Sequence, residues 1–155
     1  MNKTMILKAV ITEMEEELRR QMAAQSVAAE GATHAESKAE TKWDTCGLEQ
    51  SYLARGLAQQ FEKLAKQVHD LRAFKPADFA GKPIGVGALV EAESDGYKDV
   101  FFLLECGGGV DLKVEGCEIT VITPESPVGA ALQGKKQGDT YSFRAGMEGK
   151  INVVK

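Results

Sequence analysis

Two stripes of apolar residues with helical spacing dominate the first half of the chain. Each stripe steps by three or four residues, which places its members on one face of an α-helix. Each stripe supplies the apolar face that the other lacks, and Gly31 lies between them. The pattern therefore predicts an antiparallel helical hairpin with helices over about 4–29 and 44–73. The stripes are Leu7, Ile11, Met14, Leu18 and Met22, then Leu53, Leu57, Phe61, Leu64, Val68 and Leu71.

We expect the middle of this hairpin to be its best-packed part. Leu18 of the first stripe and Leu57, Phe61 and Leu64 of the second are predicted to be buried between the two helices.

The period of the pattern changes after Phe74. Residues 75–83 hold two prolines and Gly81, which indicates a linker. From Ile84 onward the apolar residues recur with a period near two, which predicts strands. Ser126 to Leu132 is predicted as one short helix, because Ser126 can cap it and Pro127 suits its first turn. The predicted strands cover 84–92, 100–104, 119–122, 140–143 and 150–154, the last two around a turn at 146–149.

These elements predict an α+β protein with two domains. Residues 1–74 form a coiled-coil hairpin, residues 75–83 a linker, and residues 84–155 a small antiparallel β-sheet with one helix packed across it. We expect the second domain to fold alone from about Ile84, because the linker separates two cores.

Composition narrows the functional classes. The chain has 155 residues, 43% hydrophobic and 27% charged, with a net charge of −4. A net acidic chain does not fit a protein whose affinity comes from neutralising DNA phosphates, so sequence-specific DNA binding is not expected. No apolar stretch approaches the ~20 residues that span a bilayer. We expect a cytoplasmic monomer that does not associate with a membrane.

Most of the residues that could carry chemistry have a simpler explanation. Cys46, Cys106 and Cys117 are widely spaced and lack the close pairs of a zinc site, so free thiols are predicted. Gly107 to Gly109 is not followed by Lys-Ser/Thr and indicates a turn rather than a phosphate loop. His34 and His69 have no triad-like neighbours. No cofactor bound by the chain alone is predicted.

Acidic residues between the two helices are the better candidates. Glu36 and Glu40 are four residues apart and share one face if this segment is helical, and Asp44 follows. Carboxylates at the end of a hairpin could hold Mg²⁺ jointly with another protein. Lys38 and Lys42 interleave with the acids, so an ordinary solvated polar end is the alternative.

The segment from Ile122 to Asp139 resembles a known family. Its Ser126-Pro127, Leu132, Gly134-Lys135 and Gly138-Asp139 match, in order and spacing, the C-terminal domain of Gre-type bacterial transcription elongation factors (the GreA/GreB family). A smaller relative that regulates nucleoside diphosphate kinase levels shares the motif but has a much shorter hairpin. The long helical half of this chain therefore favours the Gre type.

This resemblance implies a fold and a mode of action. Gre factors dock an FKBP-like C-terminal domain at the rim of the secondary channel of RNA polymerase, and their coiled coil reaches the active centre. Acids at its tip help hold a second Mg²⁺ while the polymerase itself cleaves backtracked RNA, so the factor is not an enzyme. The implied docking residues are Ser126, Pro127, Gly129, Ala130, Leu132, Gly134, Lys135, Gly138 and Asp139, and the implied tip acids are Glu40, Glu36 and Asp44.

The tip departs from the family pattern, which leaves alternatives open. The family usually has an aspartate three residues before its tip glutamate, whereas Thr33 precedes Glu36 and Ser37 precedes Glu40. A secondary-channel regulator that inhibits or retunes transcription without cleavage is therefore an alternative. A peptidyl-prolyl isomerase is a remote one, because that activity uses an aromatic pocket and the only tryptophan, Trp43, lies in the hairpin.

Overall fold

The computed structural model describes residues 2–33, 46–144 and 147–155. It confirms the predicted α+β class, with two long helices followed by a six-stranded sheet that carries one short helix. The elements are α1 (Lys3–Thr33), α2 (Cys46–Ala73), β1 (Leu89–Ser94), β2 (Tyr97–Leu103), β3 (Asp111–Val114), β4 (Cys117–Ile122), α3 (Pro127–Leu132), β5 (Thr140–Arg144) and β6 (Met147–Val154).

The chain divides into two compact units that differ from the predicted domains. The hairpin unit is Glu13–Arg72, and the sheet unit combines Met1–Thr12 with Ala73–Lys155. The first turns of α1 thus belong to the sheet unit, and the helical hairpin is an insertion within it. The physical reason lies in burial, because Ile6, Leu7 and Val10 are at most 5% exposed.

The sheet has the strand order β3-β4-β2-β1-β6-β5. Its neighbouring strands are antiparallel except for β2 and β4, which pair in parallel over residues 101–103 and 120–122. Asp95 and Gly96 join β1 to β2 with φ of 51° and 80°. Positive φ at both central residues suits the right-handed twist of a two-residue hairpin.

Both faces of the sheet are apolar. On the first face, Val90, Phe101 and Ile122 belong to a buried cluster to which α3 contributes Leu132. Alternate residues point to the second face, where Leu89, Phe102, Ile119 and Val121 are at most 1% exposed. Since α3 packs on the first face, we infer that Ile6, Leu7 and Val10 of α1 cover the second.

Lys3 fixes the start of α1 within the sheet unit. Its Nζ donates to the carbonyl oxygens of Ala77 and, at 3.1 Å, of Gly87, and it stands 5.3 Å from the centre of the Phe79 ring. Burial lowers the pKa of Lys3, and the nearby charge of Asp78 opposes this shift. Residues 75–83, predicted to be a linker, are therefore part of the folded sheet unit.

The hairpin unit is packed best near one end. Arg72 Nη2 lies 2.6 Å from Glu15 Oε1, which joins the last turn of α2 to α1. Of the apolar stripes, Met14, Val68 and Leu71 are at most 4% exposed. None of the described helices is long and apolar enough to cross a membrane.

The four residues predicted to be buried in the middle of this hairpin are not. Leu18, Leu57, Phe61 and Leu64 are half-buried, while Met22 and Leu53 are 55% and 58% exposed. The reason is geometric: two helices cover only one side of each other, so a stripe without a third helix stays partly open.

Several element boundaries also differ from those predicted. The first strand begins at Leu89 instead of Ile84, because Ile84 bonds to Gly134 and Lys135. Strand β3 and its turn to β4 were not predicted. The turn predicted at 146–149 falls partly within β6, where Gly149 is buried beneath the ring of Tyr141.

We predict that stability in the hairpin unit follows this gradient of burial. Leu71→Ala should lower the free energy of unfolding by about 2–5 kcal/mol, because it removes a fully packed side chain. Leu64→Ala, at a half-buried site, should cost clearly less, and Leu53→Ala should change it by under about 0.5 kcal/mol. Urea unfolding measures all three, and an equal cost for Leu64 and Leu71 would contradict the described packing.

A second prediction concerns the division into units. A fragment from Lys82 to Lys155 lacks the α1 turns assigned to the second sheet face, so it should be unstable or unfolded. A chain in which residues 13–72 are replaced by a short Gly/Ser linker should fold, because the Arg72–Glu15 ion pair shows that the ends of the inserted unit lie close together. Circular dichroism and thermal unfolding compare the secondary structure and stability of the fragment with those of the linked chain. A fragment as stable as the linked chain would show that α1 is dispensable.

Candidate functional site

The segment that resembles Gre factors folds as a capped helix between β4 and β5. Ser126 is the N-cap of α3: its Oγ accepts from the Gly129 N–H at 3.1 Å and donates to the Thr123 carbonyl oxygen at 2.7 Å. Pro127 occupies the first turn, where a backbone N–H would have no partner within the helix, so proline loses no hydrogen bond there. Ser126 and Pro127 therefore fix where the helix begins and how it leaves the strand.

Gly129 and Leu132 fix α3 against the sheet. Leu132 is fully buried in the first-face cluster. Gly129 is also buried, and a Cβ at this position would lie 1.9 Å from the carbonyl oxygen of Thr123. Because backbone atoms cannot give way as a flexible side chain can, only glycine allows this close approach. Both residues serve packing inside the protein.

The two glycine pairs of the motif form turns. Gly134 has φ of 79°, and its N–H donates to the Ile84 carbonyl oxygen at 2.8 Å, while Ile84 N–H donates to Lys135 at 2.7 Å. Gly138 has φ of 92°. Asp139 Oδ2 accepts from the Lys136 N–H at 2.8 Å, which closes the second turn. The pairs therefore return the chain from α3 to β5.

The structure brings the nine predicted docking residues together but gives them different roles. Gly129 and Leu132 are buried, Ser126 and Lys135 are half-buried, and Pro127, Ala130, Gly134, Gly138 and Asp139 are exposed. A partner could contact only the last group and parts of the second. The buried pair can affect docking only by holding the helix in place.

Four residues in and just after α3 are exposed at intervals of three. Pro127, Ala130, Gln133 and Lys136 follow one another at intervals of three and are all exposed; we call them the α3 surface. Residues three apart lie on the same side of a helix, which places Pro127 and Ala130 together on α3. Gln133 is the C-cap, and Lys136 lies in the turn that follows Gly134. The surface combines two small apolar side chains, an amide and a positive charge, which suits close contact with another protein.

The predicted tip acids lie outside the described residues. Glu36, Glu40 and Asp44 fall in the segment 34–45, as do His34 and Trp43. Among the residues that the structure does describe, no group of three or more His, Cys, Asp or Glu side chains is placed to hold a metal ion. A Mg²⁺ site at Glu40 and Glu36 stays a prediction from the sequence.

The described structure also contains several of the cysteine, histidine and glycine candidates. Cys106 is buried and Cys117 is exposed, and neither forms a disulfide within the described part of the chain. His69 is exposed. Gly107 and Gly109 have φ of 77° and 87° in a turn that Val110 N–H closes by donating to Gly107 at 3.2 Å.

Sequence reasoning missed two features of the sheet unit. One is the contact of Lys3 with Phe79, whose residues are far apart in the chain and belong to no recognisable motif. The other is Tyr97, which is 77% exposed where β2 begins. The Asp95-Gly96 turn just before it was the available signal, because the first residue after a tight hairpin turn lies at the end of its strand, beside exposed turn residues.

Comparison with known proteins gives matches among solved structures alone. A scan against protein-family models finds no match, and neither does a search of curated proteins. GreA factor homolog 1 (Gfh1) of Thermus thermophilus matches with 17% identity over 94% of both chains and a TM-score of 0.38. A structure of the transcription factor Gfh1 matches with 20% identity over 95% of this chain and 94% of that one, with a TM-score of 0.39. Gfh1 of Thermus aquaticus matches with 17% identity, the same coverage and a TM-score of 0.38.

Proposed function

We propose that this protein is a Gre-type factor that binds RNA polymerase at its secondary channel. The observation that carries the proposal is the motif from Ser126 to Asp139. It matches the family in order and spacing, and it folds as a capped helix with an exposed side on a six-stranded sheet. The protein would act as a monomer in the cytoplasm, without binding a specific DNA sequence.

The two units suggest different roles in binding RNA polymerase. The sheet unit presents the α3 surface in a preformed state, and a preformed surface binds at lower entropic cost than one that must be ordered. The hairpin unit is held by partly open stripes, and its helix α2, with 28 residues, is ~42 Å long. We therefore assign most of the affinity to the sheet unit and the approach to the polymerase active centre to the hairpin.

In this proposal the chemistry belongs to the polymerase, and the factor is not itself an enzyme. Glu40, with Glu36 or Asp44, would share a Mg²⁺ ion with the polymerase at the end of the hairpin. In a two-metal site one ion activates water while the other stabilises the leaving oxygen of the RNA. The factor would thereby stimulate cleavage of backtracked transcripts.

A second candidate is a channel-binding regulator without cleavage activity. The observation that favours it is the sequence of the tip, which lacks the aspartate three residues before Glu36 and Glu40 and has Lys38 and Lys42 among its acids. Positive charges next to carboxylates compete with a cation for them. Such a factor would occupy the channel and inhibit or retune transcription.

A transcript-cleavage assay on backtracked polymerase complexes tests the first candidate. We predict that the wild-type protein accelerates cleavage and that Glu40→Gln, which keeps the shape of the side chain and removes its charge, abolishes the acceleration without changing the affinity for polymerase. Glu62→Gln is the matched control, because Glu62 is exposed on α2 away from the tip. A wild-type protein that binds polymerase and accelerates no cleavage would overturn the cleavage role and favour the regulator.

Docking through the α3 surface is tested separately by Ala130→Glu. Ala130 is exposed, so the change should leave the stability of the protein within about 0.5 kcal/mol. It places bulk and negative charge in the middle of the α3 surface and should weaken binding to RNA polymerase at least about tenfold, which corresponds to about 1.4 kcal/mol. Fluorescence anisotropy with labelled full-length protein measures the affinity.

Ala80→Glu is the control for this experiment, since Ala80 is exposed in the same unit but outside the α3 surface. Gly129 is unsuitable as a test position, because any side chain there collides with Thr123 and disturbs the fold. An Ala130→Glu protein that is folded and binds as tightly as Ala80→Glu would show that docking occurs elsewhere.

A further inference from the structure

Strand β3 is an edge strand with one open side. Within the described sheet it pairs with β4 alone. A two-residue turn joins the two strands, and its residues Glu115 and Gly116 have φ of 52° and 82°. In a hairpin of this kind the residues that flank the turn, here Val114 and Cys117, exchange backbone hydrogen bonds. Val114 therefore directs its backbone N–H and C=O toward β4.

The hydrogen-bond pattern of the hairpin shows which backbone groups face away from β4. At the start of β3, Val121 N–H donates to the Val110 carbonyl oxygen at 2.8 Å, so Val110 faces β4 as Val114 does. Bonded and non-bonded positions alternate along an antiparallel strand. The alternate residues Asp111 and Lys113 therefore direct their N–H and C=O groups outward, where another strand could bond to them.

The side chains of these two residues carry opposite charges on one face of the strand. Asp111 and Lys113 are both exposed, and residues two apart in a strand share a face. Thr120 Oγ1 donates to Asp111 Oδ1 at 2.6 Å, which holds the carboxylate in place. Lys113 makes no ion pair with any residue that the structure describes. Its ammonium group is therefore available to another molecule.

The other face of β3 is apolar. Val110, Leu112 and Val114 alternate with the two charged residues and are all half-buried. Leu112 is paired with Ile119, which is fully buried on the second face of the sheet. The apolar second face thus extends to this edge and is left partly exposed there, so a strand added beside β3 would remove apolar surface from water.

We propose that β3 pairs antiparallel with β3 of a second copy of this chain, about a two-fold axis at Leu112. In this register Asp111 of each copy lies opposite Lys113 of the other. The two outward-facing positions then exchange backbone hydrogen bonds. Their side chains, with Cβ atoms about 4.5–5.5 Å apart, form an ion pair on each side of the axis. On the apolar face, Leu112 contacts Leu112 of the second copy, and Val110 contacts Val114.

The order of the charges is what favours a second copy as the partner. Proteins often protect edge strands with charge, lysine above all, and like charges would repel a second copy. In β3 the two-fold axis instead places unlike charges opposite each other, so the edge is self-complementary. The register is specific as well, because a shift by two residues would place Asp111 opposite Asp111, or Lys113 opposite Lys113.

This interface is small and lies away from the α3 surface. Only residues 110–114 of each copy meet, so the buried area stays below the ~1,200 Å² of a stable interface, and the pair should form only in concentrated protein. Helix α3 contacts β5, at the other edge of the sheet. Pairing through β3 would thus leave the α3 surface free, and the inference does not rest on the proposed function, in which a single chain acts.

Sedimentation velocity of the full-length protein, with two charge reversals, tests the proposal. The wild-type protein should be half dimeric at about 100 μM. Asp111→Lys and Lys113→Asp each place like charges opposite one another and should each weaken self-association at least about tenfold. An equimolar mixture of the two variants opposes unlike charges again and should associate like the wild type. Glu125→Lys, at an exposed position outside β3, is the control and should associate like the wild type.

Amide hydrogen exchange measured by NMR at low and high concentration locates the interface in the wild-type protein, so it does not depend on how the variants fold. The N–H groups of Asp111 and Lys113 should exchange more slowly in concentrated protein, while that of Val114, already bonded to β4, should change little.

Three results would overturn the proposal. The first is a wild-type protein that stays monomeric up to about 1 mM, ten times the expected midpoint. The second is a mixture of the two variants that associates no better than either alone. The third is an association that leaves the exchange of Asp111 and Lys113 unchanged, because the copies would then meet through another surface.

Discussion

The constraint on which the rest of this structure depends is that both faces of its sheet are apolar and must be kept from water. Leu132 of α3 closes the first face. The second face has Leu89 and Phe102 fully buried, and we infer that the apolar turns of α1 in the same unit cover it. The sheet therefore holds both ends of the described chain, and the helical hairpin leaves it and returns to it.

This arrangement explains the contacts that Lys3 makes with the segment after α2. Lys3 donates to the carbonyl oxygens of Ala77 and Gly87, which joins the beginning of α1 to the chain that returns from α2. The charge is partly removed from water, so its pKa falls, and two carbonyls together with the Phe79 ring stabilise it instead. A segment rich in proline and glycine is thus held in place by a side chain from the other end of the unit.

The motif that suggested the function also packs α3 against the sheet. Ser126 begins α3, Gly129 lets it approach Thr123, Leu132 fills the core and Gly134 turns the chain toward Ile84. Each of these residue types has a structural reason, so the resemblance of this segment to Gre factors is explained by packing, and fold by itself does not determine activity. The proposed docking would instead depend on the exposed side chains of the α3 surface, such as Ala130.

Sequence alone determined the elements that depend on interactions between residues close together in the chain. The helical stripes from Leu7 and Leu53, the cap at Ser126 and the glycine turns follow from periodicity and from the backbone preferences of single residues. The sequence also supplied the predicted docking residues, through a resemblance in one segment, and the candidate acids between the two helices.

Only the tertiary structure decided which residues of these elements are buried and which elements pack together. The α1 turns at Ile6 belong to the sheet unit, Leu18 and Leu64 are half-buried, and the ring of Tyr141 lies over Gly149. Each of these facts depends on contacts between residues far apart in the chain, and a periodic pattern shows that a face is apolar without showing what covers it.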